Sequence, residues 1–207
     1  MKLYKKFFVN AKEPKGLLGK IMVNRMNIHH KELSTWGREN IPHFSPSTIL
    51  EIGCGGGRNT KELLKKYPEA KVVAIDYSNI SVDKTKKYNK KAINADRCTV
   101  LQQDVSKLDV EKNVFDLATA IETVYFWPRI EECFRNVYEA LKDNGVFVIV
   151  NEADGLGEES SKMDGIIEGY RVYTTEELEN LLKVAGFSDV KSTHHISSPW
   201  ITVIATK

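Results

Sequence analysis

The sequence predicts a three-layer α/β/α domain, in which helices cover both faces of a mostly parallel β-sheet. The first observation is a short apolar run, Ile49 to Ile52, that leads into a glycine-rich turn and then a helix-like segment, residues 59–67. The second is the alternation of further apolar runs with segments of helical periodicity, the pattern of parallel strands joined by helices. The third is the length of 207 residues, which suits one domain with a sizeable core.

Composition and charge narrow the class of protein. Hydrophobic residues make up 42% of the chain and charged residues 28%, as in soluble globular proteins. The formal net charge of +2 gives no overall field that would favour nucleic acid or a membrane surface. No apolar run approaches about 18 residues, and Phe7 to Val9 is too short for a signal-peptide core. The cysteines number three and lack metal-ligand spacing, so we expect reduced thiols in a cytoplasmic protein.

The first 47 residues form a segment of their own before the first strand. We interpret residues 1–47 as an N-terminal helical extension and residues 48–207 as the main domain. Apolar residues recur at helical spacing over residues 20–36, which predicts one or two helices that must pack on the rest of the chain. Side chains suited to recognition or catalysis in this extension are Asn27, His29, His30 and Trp36. The plainer interpretation places Trp36 in the core and both histidines on the surface.

Acidic residues follow several of the predicted strands. A second buried strand ends at Asp76, which lies 23 residues after Gly53. That separation is close to the one that places an acid on the hydroxyls of a ribose. The third and fourth strand segments end in Asp104 and Glu122. Ligands of doubly wound sheets bind at the carboxyl ends of the strands, so we expect these acids to border a ligand cleft.

The glycine turn does not match the dinucleotide-binding fingerprint. Gly53 and Gly55 fit the pattern G-x-G-x-x-G, but its third glycine is replaced by Arg58. The pattern present is Glu51-x-Gly53-x-Gly55-x-Gly57, which resembles motif I of the class I S-adenosylmethionine-dependent methyltransferases. The acids that end the following strands agree with this family in order and spacing, so the resemblance covers most of the chain.

This resemblance implies S-adenosylmethionine as the cofactor and gives individual residues a role. The glycine turn would lie under the methionine part of the cofactor, with Glu51 facing its ammonium group. Asp76 would bind the ribose, Asp104 would meet the adenine amino group, and Val105 would pack on the adenine ring. The expected cofactor-binding residues are Glu51, Gly53, Cys54, Gly55, Asp76, Tyr77, Asp104, Val105, Glu122, Asn27 and Trp36.

The C-terminal half is consistent with the same family. Beyond a predicted helix at residues 129–141, the continuous apolar run of residues 146–150 reads as a buried fifth strand. Residues 151–169 are expected to be an irregular insert near the pocket, and a capping box predicts a helix over residues 175–185. Two strands then form a hairpin at the end of the chain. The resemblance implies a Rossmann-like sheet of seven strands in the order 3-2-1-4-5-7-6, with the last strand antiparallel.

The most aromatic stretch, residues 124–128, follows the fourth strand. We expect Tyr125 to lie in the acceptor pocket and Phe126 to be a packing residue. Family members that methylate the amino groups of nucleic-acid bases carry an Asp/Asn-Pro-Pro-aromatic motif here, whereas this chain has Glu122-Thr123-Val124-Tyr125. That difference argues against base amines as acceptors.

Methyl transfer from a sulfonium is an in-line displacement, so the protein mainly has to bind, orient and exclude water. A thiolate or carboxylate acceptor needs no general base. A hydroxyl or a protonated amine needs one, and the candidates are His29, His30 and Tyr125. We expect a small-molecule or short-peptide acceptor and a monomer or homodimer, with no nucleic acid or membrane as partner; the acceptor atom (O, N, S or carboxylate) stays open.

Other interpretations remain. An RNA or protein methyltransferase could use the lysine-rich helix predicted at residues 78–91, although a solvated helix face explains those lysines as well. A nicotinamide-dependent oxidoreductase is disfavoured by the missing third glycine and the C-terminal hairpin. A non-catalytic binding module is disfavoured by the intact acids. Finally, residues 20–36 are expected to form a lid over the cofactor cleft, with Asn27, His30 and Trp36 turned inward.

Overall fold

The computed structural model of the protein describes residues 16–156 and 169–207. The helices and strands alternate along this part of the chain as the sequence predicts. The helices are α1 (Gly16–His29), α2 (Lys31–Glu39), α3 (Arg58–Lys66), α4 (Asn79–Tyr88), α5 (Lys90–Asn94), α6 (Ile130–Ala140) and α7 (Thr175–Ala185). The strands are β1 (Thr48–Ile52), β2 (Lys71–Asp76), β3 (Cys98–Gln102), β4 (Phe115–Ile121), β5 (Leu141–Asn151), β6 (Ser188–His194) and β7 (Ile201–Thr206). Short 3₁₀ turns lie at Val105–Lys107 and Val124–Phe126.

The seven strands form one sheet in the order β3-β2-β1-β4-β5-β7-β6. The pairs among β1 to β5 are parallel, whereas β7 runs antiparallel to both β5 and β6. The fold class, the strand order and the antiparallel final strand predicted from the sequence are therefore confirmed. This topology brings the carboxyl ends of β1, β2 and β4 together at one edge of the sheet.

Hydrophobic cores lie on both faces of the sheet. On one face α6 and α7 contribute Phe134, Val137, Leu178 and Leu182, which pack against β4, β5 and β7. On the other face α2, α3 and α4 contribute Leu33, Leu63, Leu64 and Val82, which pack against residues of β1 to β5. The predicted three layers are therefore present, and α2 of the N-terminal extension belongs to one of them.

Helix α2 approaches the sheet very closely at Gly37. A Cβ atom on Gly37 would lie 2.5 Å from Cγ2 of Val150 and 2.6 Å from its Cγ1. Only a residue without a side chain therefore fits between the helix and β5 without movement of the neighbours. Leu33 and Arg38 of the same helix are also buried, so α2 is docked on the central sheet.

Two predicted element boundaries are corrected by the structure. The single helix expected over residues 78–91 is divided at Asn89, whose side-chain amide donates hydrogen bonds to the carbonyl groups of Gly57 and Thr85. Strand β5 begins at Leu141, earlier than expected. The turn expected around Asn144 is an irregularity inside this strand, where its pairing with β4 shifts register. By contrast, α7 has the predicted bounds and the predicted capping box between Thr174 and Glu177.

Among the helices of the described ranges, none has the length and apolar character needed to cross a membrane. The irregular insert expected at residues 151–169 lies largely outside the described residues.

Candidate functional site

A cavity of about 300 Å³ lies at the carboxyl ends of the central strands. It receives residues from the glycine turn after β1, from the end of β2, from the loops after β3 and β4, and from the N-terminal helices. The lining residues are Val23, His30, Ser34, Ile52, Gly53, Cys54, Gly55, Gly56, Arg58, Asn59, Ile75, Asp76, Tyr77, Ser81, Gln103, Asp104, Val105, Ile121, Glu122, Thr123, Phe126, Trp127 and Pro128. Most of the residues predicted to bind the cofactor are therefore gathered around one space.

The glycine turn forms the floor of this cavity. The backbone N–H groups of Gly53 and Cys54 both donate to the carbonyl group of Ile75, at 2.8 and 2.9 Å, which fixes the turn against β2. A Cβ atom on Gly53 would lie 2.5 Å from Oγ1 of Thr123, so a larger residue would collide with the loop after β4. At Gly55, with φ +51°, the nearest atom to a Cβ would be 4.0 Å away, and the turn is open to a ligand there.

Asp76 links the glycine turn to the start of α4. Its Oδ2 accepts a hydrogen bond of 2.9 Å from the backbone N–H of Gly55, and its Oδ1 accepts one of 2.9 Å from the backbone N–H of Ser78. Burial raises the pKa of this carboxyl, and the backbone donors oppose that rise. The Ser81 side chain also hydrogen-bonds to this carboxylate. Two carboxylate oxygens offer about four acceptor positions, so some acceptor capacity remains for a ligand on the cavity side.

The loop after β3 forms another part of the cavity wall. The Asp104 carboxylate accepts a hydrogen bond of 2.9 Å from the backbone N–H of Ser106, which orders the 3₁₀ turn that follows. Val105 is buried with its side chain on the cavity wall, and Gln103 and Tyr77 complete this region. An apolar side chain beside a polar backbone edge suits a flat heterocyclic ring.

Glu51 lies behind the turn and does not line the cavity. It is buried in β1, and its Oε2 accepts a short hydrogen bond from the hydroxyl of Thr60 in α3. Burial raises the pKa of Glu51 to about 8, while the Thr60 hydroxyl and the nearby Arg38 guanidinium oppose the rise. The structure therefore gives Glu51 a partner within the chain, where the family resemblance implied a direct contact with the cofactor.

After β4 the structure exchanges the expected roles of two aromatic residues. Phe126 lines the cavity, whereas Tyr125 is buried behind it and stacks on Tyr170 with a ring-centroid distance of 5.4 Å. The Tyr125 hydroxyl donates a 3.1 Å hydrogen bond to Oε1 of Glu122. The direction of the side chains in a 3₁₀ turn, which the sequence pattern did not reveal, decides which ring reaches the cavity.

The N-terminal helices contribute Val23, His30 and Ser34 to the cavity wall. His29 is exposed and meets the His30 ring edge-on at 5.6 Å. Trp36 points elsewhere, since its indole contacts the rings of His195 and Trp200, at 5.3 and 6.2 Å between centroids. The amphipathic period of α2 explains this difference, because Trp36 faces β7 while Ser34 faces the glycine turn. The Asn27 side chain lies outside the described residues.

The comparisons with known proteins agree with this geometry. Residues 49–145 match a family model described as a methyltransferase domain. The chain is 30% identical over 101 residues to sterol 24-C-methyltransferase ERG6 of Saccharomyces cerevisiae, which covers 49% of this chain and 26% of that protein. Residues 49–145 are therefore similar to a methyltransferase domain, in agreement with the glycine motif and the strand-end acids.

Other proteins that this chain resembles have different names and acceptors. The chain is 30% identical over 111 residues to malonyl-[acyl-carrier protein] O-methyltransferase of Priestia megaterium, covering 54% of this chain and 39% of that one. A solved S-adenosylmethionine-dependent methyltransferase from Thermotoga maritima superposes with a TM-score of 0.70 at 20% identity, over 89% of this chain and 94% of that chain. The chain spans less than half the length of the sterol 24-C-methyltransferase and of the malonyl-[acyl-carrier protein] O-methyltransferase. These two relatives therefore identify the domain and leave its acceptor open.

Three residues at or beside the cavity were not predicted as site residues from the sequence. Arg58 and Asn59 begin α3 directly behind the glycine turn, and their position there could have drawn attention to them. Glu152, which follows β5, lies with its Oε2 3.8 Å from Nε2 of His30. It had no motif around it, and only the adjacency of β4 and β5 in the sheet brings it near Glu122.

Proposed function

We propose that this chain transfers the methyl group of S-adenosylmethionine to a small-molecule acceptor. The observation that carries this proposal is the shared cavity. The glycine turn, Asp76, Asp104 and Val105 line it together with His30, Glu122 and Phe126. Donor and acceptor can therefore meet in one enclosed space at the edge of the sheet.

The residues of the cavity suit the parts of the cofactor. The open backbone at Gly55 leaves room for the methionine part, and the remaining acceptor capacity of Asp76 suits the two ribose hydroxyls. Val105 and the backbone beside Asp104 suit the adenine ring and its amino group. S-adenosylmethionine supplies the activated methyl group, and the chain supplies alignment and exclusion of water.

Of the proposed general bases, His30 is the one favoured by the geometry. Burial lowers the pKa of His30, so its ring is neutral and able to accept a proton near pH 7. Burial beside Glu122 raises the pKa of Tyr125 well above its ordinary value, and its hydroxyl is engaged on both sides. His29 is exposed and lies outside the cavity lining.

The size of the cavity favours a small molecule or the tip of a short peptide over a folded RNA. The sterol and malonyl-acyl-carrier-protein acceptors in the names of the relatives belong in a first panel, together with amines, alcohols, thiols and carboxylic acids. The lysines of α4 and α5 include exposed side chains, which a solvated helix face accounts for.

Two measurements test the proposal. Calorimetry with S-adenosylhomocysteine and with NADH should show saturable binding of the first only, and methyl-labelled S-adenosylmethionine should label at least one member of the acceptor panel. Binding of NADH in place of S-adenosylhomocysteine would favour the oxidoreductase alternative. Binding of S-adenosylhomocysteine without transfer to any acceptor class would favour the non-catalytic module.

A further inference from the structure

Three side chains that can accept protons meet at the cavity: His30 and Glu122 line it, and the exposed Glu152 lies next to them. His30 precedes α2, Glu122 follows β4 and Glu152 follows β5, so three separate elements meet there. Nε2 of His30 lies 3.8 Å from Oε2 of Glu122 and 3.8 Å from Oε2 of Glu152. The ligating atoms of all three side chains lie within 4.8 Å of one another. We call these residues the His–Glu–Glu triad.

Glu122 is held so that one carboxylate oxygen remains directed at the triad. Its side chain is only 7% exposed. Oε1 accepts hydrogen bonds from the Tyr125 hydroxyl, at 3.1 Å, and from the backbone N–H of Glu152, at 2.5 Å. The other oxygen, Oε2, faces the His30 ring across 3.8 Å.

The backbone at Glu122 is also unusual. Its φ of +58° lies in the left-handed region that non-glycine residues seldom adopt. Such a conformation persists only when surrounding contacts enforce it, and here the strand hydrogen bond from its N–H to the carbonyl of Val150 holds the residue. The strand end is therefore shaped to present this carboxylate to the cavity.

We propose that the His–Glu–Glu triad is the binding subsite for a protonated amine of the methyl acceptor, and that Nε2 of His30 removes its proton. This inference rests on the proposed methyl transfer and names its acceptor class. One N–H proton passes to Nε2, which leaves a lone pair on the nitrogen. That lone pair forms the new N–CH₃ bond while the S–CH₃ bond of S-adenosylmethionine breaks, its electron pair returning to sulfur to give S-adenosylhomocysteine. The methylated ammonium then releases a second proton to solvent if it leaves neutral.

The dimensions of the triad can be compared with those expected around an ammonium group and around a metal ion. Three acceptors that each lie about 2.8–3.0 Å from a tetrahedral nitrogen are separated from one another by roughly 4.6–4.9 Å. Ligands that lie about 2.0–2.2 Å from a zinc ion are separated by roughly 3.3–3.6 Å. The two separations of 3.8 Å from His30 are about 0.2–0.5 Å wider than the zinc spacing and about 0.8–1.1 Å narrower than the ammonium spacing. Either occupant therefore requires a small side-chain shift, and titration with Mn²⁺ or Zn²⁺ distinguishes the two.

The surroundings of the triad suit a cation and oppose an anion. Phe126 lines the cavity next to Glu122, and its ring lies 5.3 Å from that of Tyr170, so aromatic faces border the subsite. Burial and the neighbouring Glu152 raise the pKa of Glu122 well above its ordinary value, and a bound cation would favour the ionised carboxylate over the protonated acid. A free carboxylate group on the acceptor would instead add a further acidic group beside Glu122 and Glu152, which opposes binding. The charged or titratable groups that face His30 are His29, Glu122 and Glu152.

The test uses the smallest probe that carries the required charge. Methylammonium, methanol and acetate are titrated in the millimolar range into the protein saturated with S-adenosylhomocysteine, and the His30 ring ¹⁵N signals are followed by NMR. We expect saturable shifts with methylammonium only. Glu122→Gln and Glu152→Gln should each weaken methylammonium about ten- to a hundredfold, as expected for a lost charge-assisted hydrogen bond. The control Glu139→Gln, on an exposed carboxylate of α6, should change nothing.

A kinetic test separates recognition from proton removal. With an amine acceptor from the panel, His30→Gln should lower kcat strongly near pH 7. The loss should shrink toward about pH 10, where an ordinary amine is itself largely deprotonated. A loss that does not depend on pH would mean that His30 only shapes the site.

Three results would overturn the inference. They are equal shifts with methylammonium and methanol, tight binding of Mn²⁺ or Zn²⁺ with transfer that EDTA abolishes, and a panel in which only carboxylates or thiols are labelled. Each of these leaves S-adenosylhomocysteine binding intact. Loss of that binding in the unaltered protein would instead reject the proposed function.

Discussion

The phenolic hydroxyl of Tyr125 donates a hydrogen bond of 3.1 Å to Oε1 of Glu122 and accepts one of 3.2 Å from the backbone N–H of Ala153. The ring is buried, and it joins the end of β4 to the loop that follows β5. One hydroxyl therefore orients a carboxylate of the cavity and ties together the two loops that carry Glu122 and Glu152. Tyr125 is a positioning residue in this arrangement.

Tyr125→Phe should destabilise the protein and disorder Glu122. The substitution keeps the ring but leaves the Ala153 N–H without its acceptor and removes one donor from a buried carboxylate, at a cost of about 1–3 kcal/mol. Urea unfolding measures the change in the free energy of unfolding. The matched control is Tyr88→Phe on the surface of α4, which should change stability by about 0.5 kcal/mol or less. Equal stabilities of the two variants would show that the Tyr125 hydroxyl contributes nothing.

Asp76→Ala should weaken the cofactor more than Asp104→Ala. A charge-assisted hydrogen bond contributes about 1.5–3 kcal/mol, so loss of the Asp76 carboxylate should reduce affinity roughly ten- to a hundredfold for each bond lost. At Asp104 the effect should be milder, because packing of the adenine ring on Val105 would remain. Calorimetry with S-adenosylhomocysteine checks both variants. Unchanged affinity in Asp76→Ala would remove this residue from the cofactor site.

Glu51 should make the protein less stable as the pH rises. Its pKa is raised from 4.5 to about 8 in the folded chain, chiefly by burial. Between these two values the unfolded chain releases the Glu51 proton while the folded chain keeps it. The free energy of unfolding therefore falls across this window, by at most about 1.4 kcal/mol per pH unit, and this contribution levels off at higher pH.

The variant Glu51→Gln cannot ionise, so the decline should become shallower in unfolding experiments between about pH 5 and 8. The control Glu69→Gln alters an exposed carboxyl group that stays in water on folding, and its slope should match that of the unaltered protein. An identical slope in Glu51→Gln would mean that the Glu51 carboxyl is ionised in the folded state.

The fold was predictable because glycines, strand-end acids and apolar runs are local signals, and all of them lie between Thr48 and Thr206. The capping box at Thr174 likewise defined α7 from four consecutive residues. What the sequence could not reveal depends on which strands become neighbours. Glu152 lies close to His30 and Glu122 only because β5 lies beside β4, and the residues between it and Glu122 contain no motif that connects them.

The direction of individual side chains was the second feature that the sequence could not predict. Tyr125 and Phe126 are adjacent in the sequence and equally aromatic, so the choice between cavity and core depended on the geometry of one 3₁₀ turn. Trp36 was expected over the cofactor cleft, yet it packs with Trp200, because α2 is docked through Gly37 on the sheet. A single close contact rotates the helix and decides which of its faces meets the cavity.

The contact between Gly37 and Val150 should show strong coupling. Gly37→Ala places a methyl group 2.5 Å from a methyl group of Val150, and such overpacking costs about 1–3 kcal/mol. Val150→Ala alone leaves a cavity, but in the double variant the two changes compensate in volume. We expect the double variant to be more stable than the sum of the two single effects implies, by about 0.5–3 kcal/mol. If the changes in the free energy of unfolding of the two single variants simply add in the double variant, α2 shifts away from the sheet without a cost in stability.

The N-terminal extension should divide into a covering helix and a structural helix. Removing residues 1–29 deletes α1, which supplies Val23 to the cavity wall, but keeps α2 and its buried Leu33. We expect this variant to retain the sheet and lose most of its methyl transfer, since water would enter the cavity. Removing residues 1–39 also deletes the contact at Gly37, and it should destabilise the whole domain. Circular dichroism melting, S-adenosylhomocysteine binding and labelled transfer are compared with a control that lacks only residues 1–15. Full activity without α1 would contradict a covering role for this helix and leave it as a packing extension.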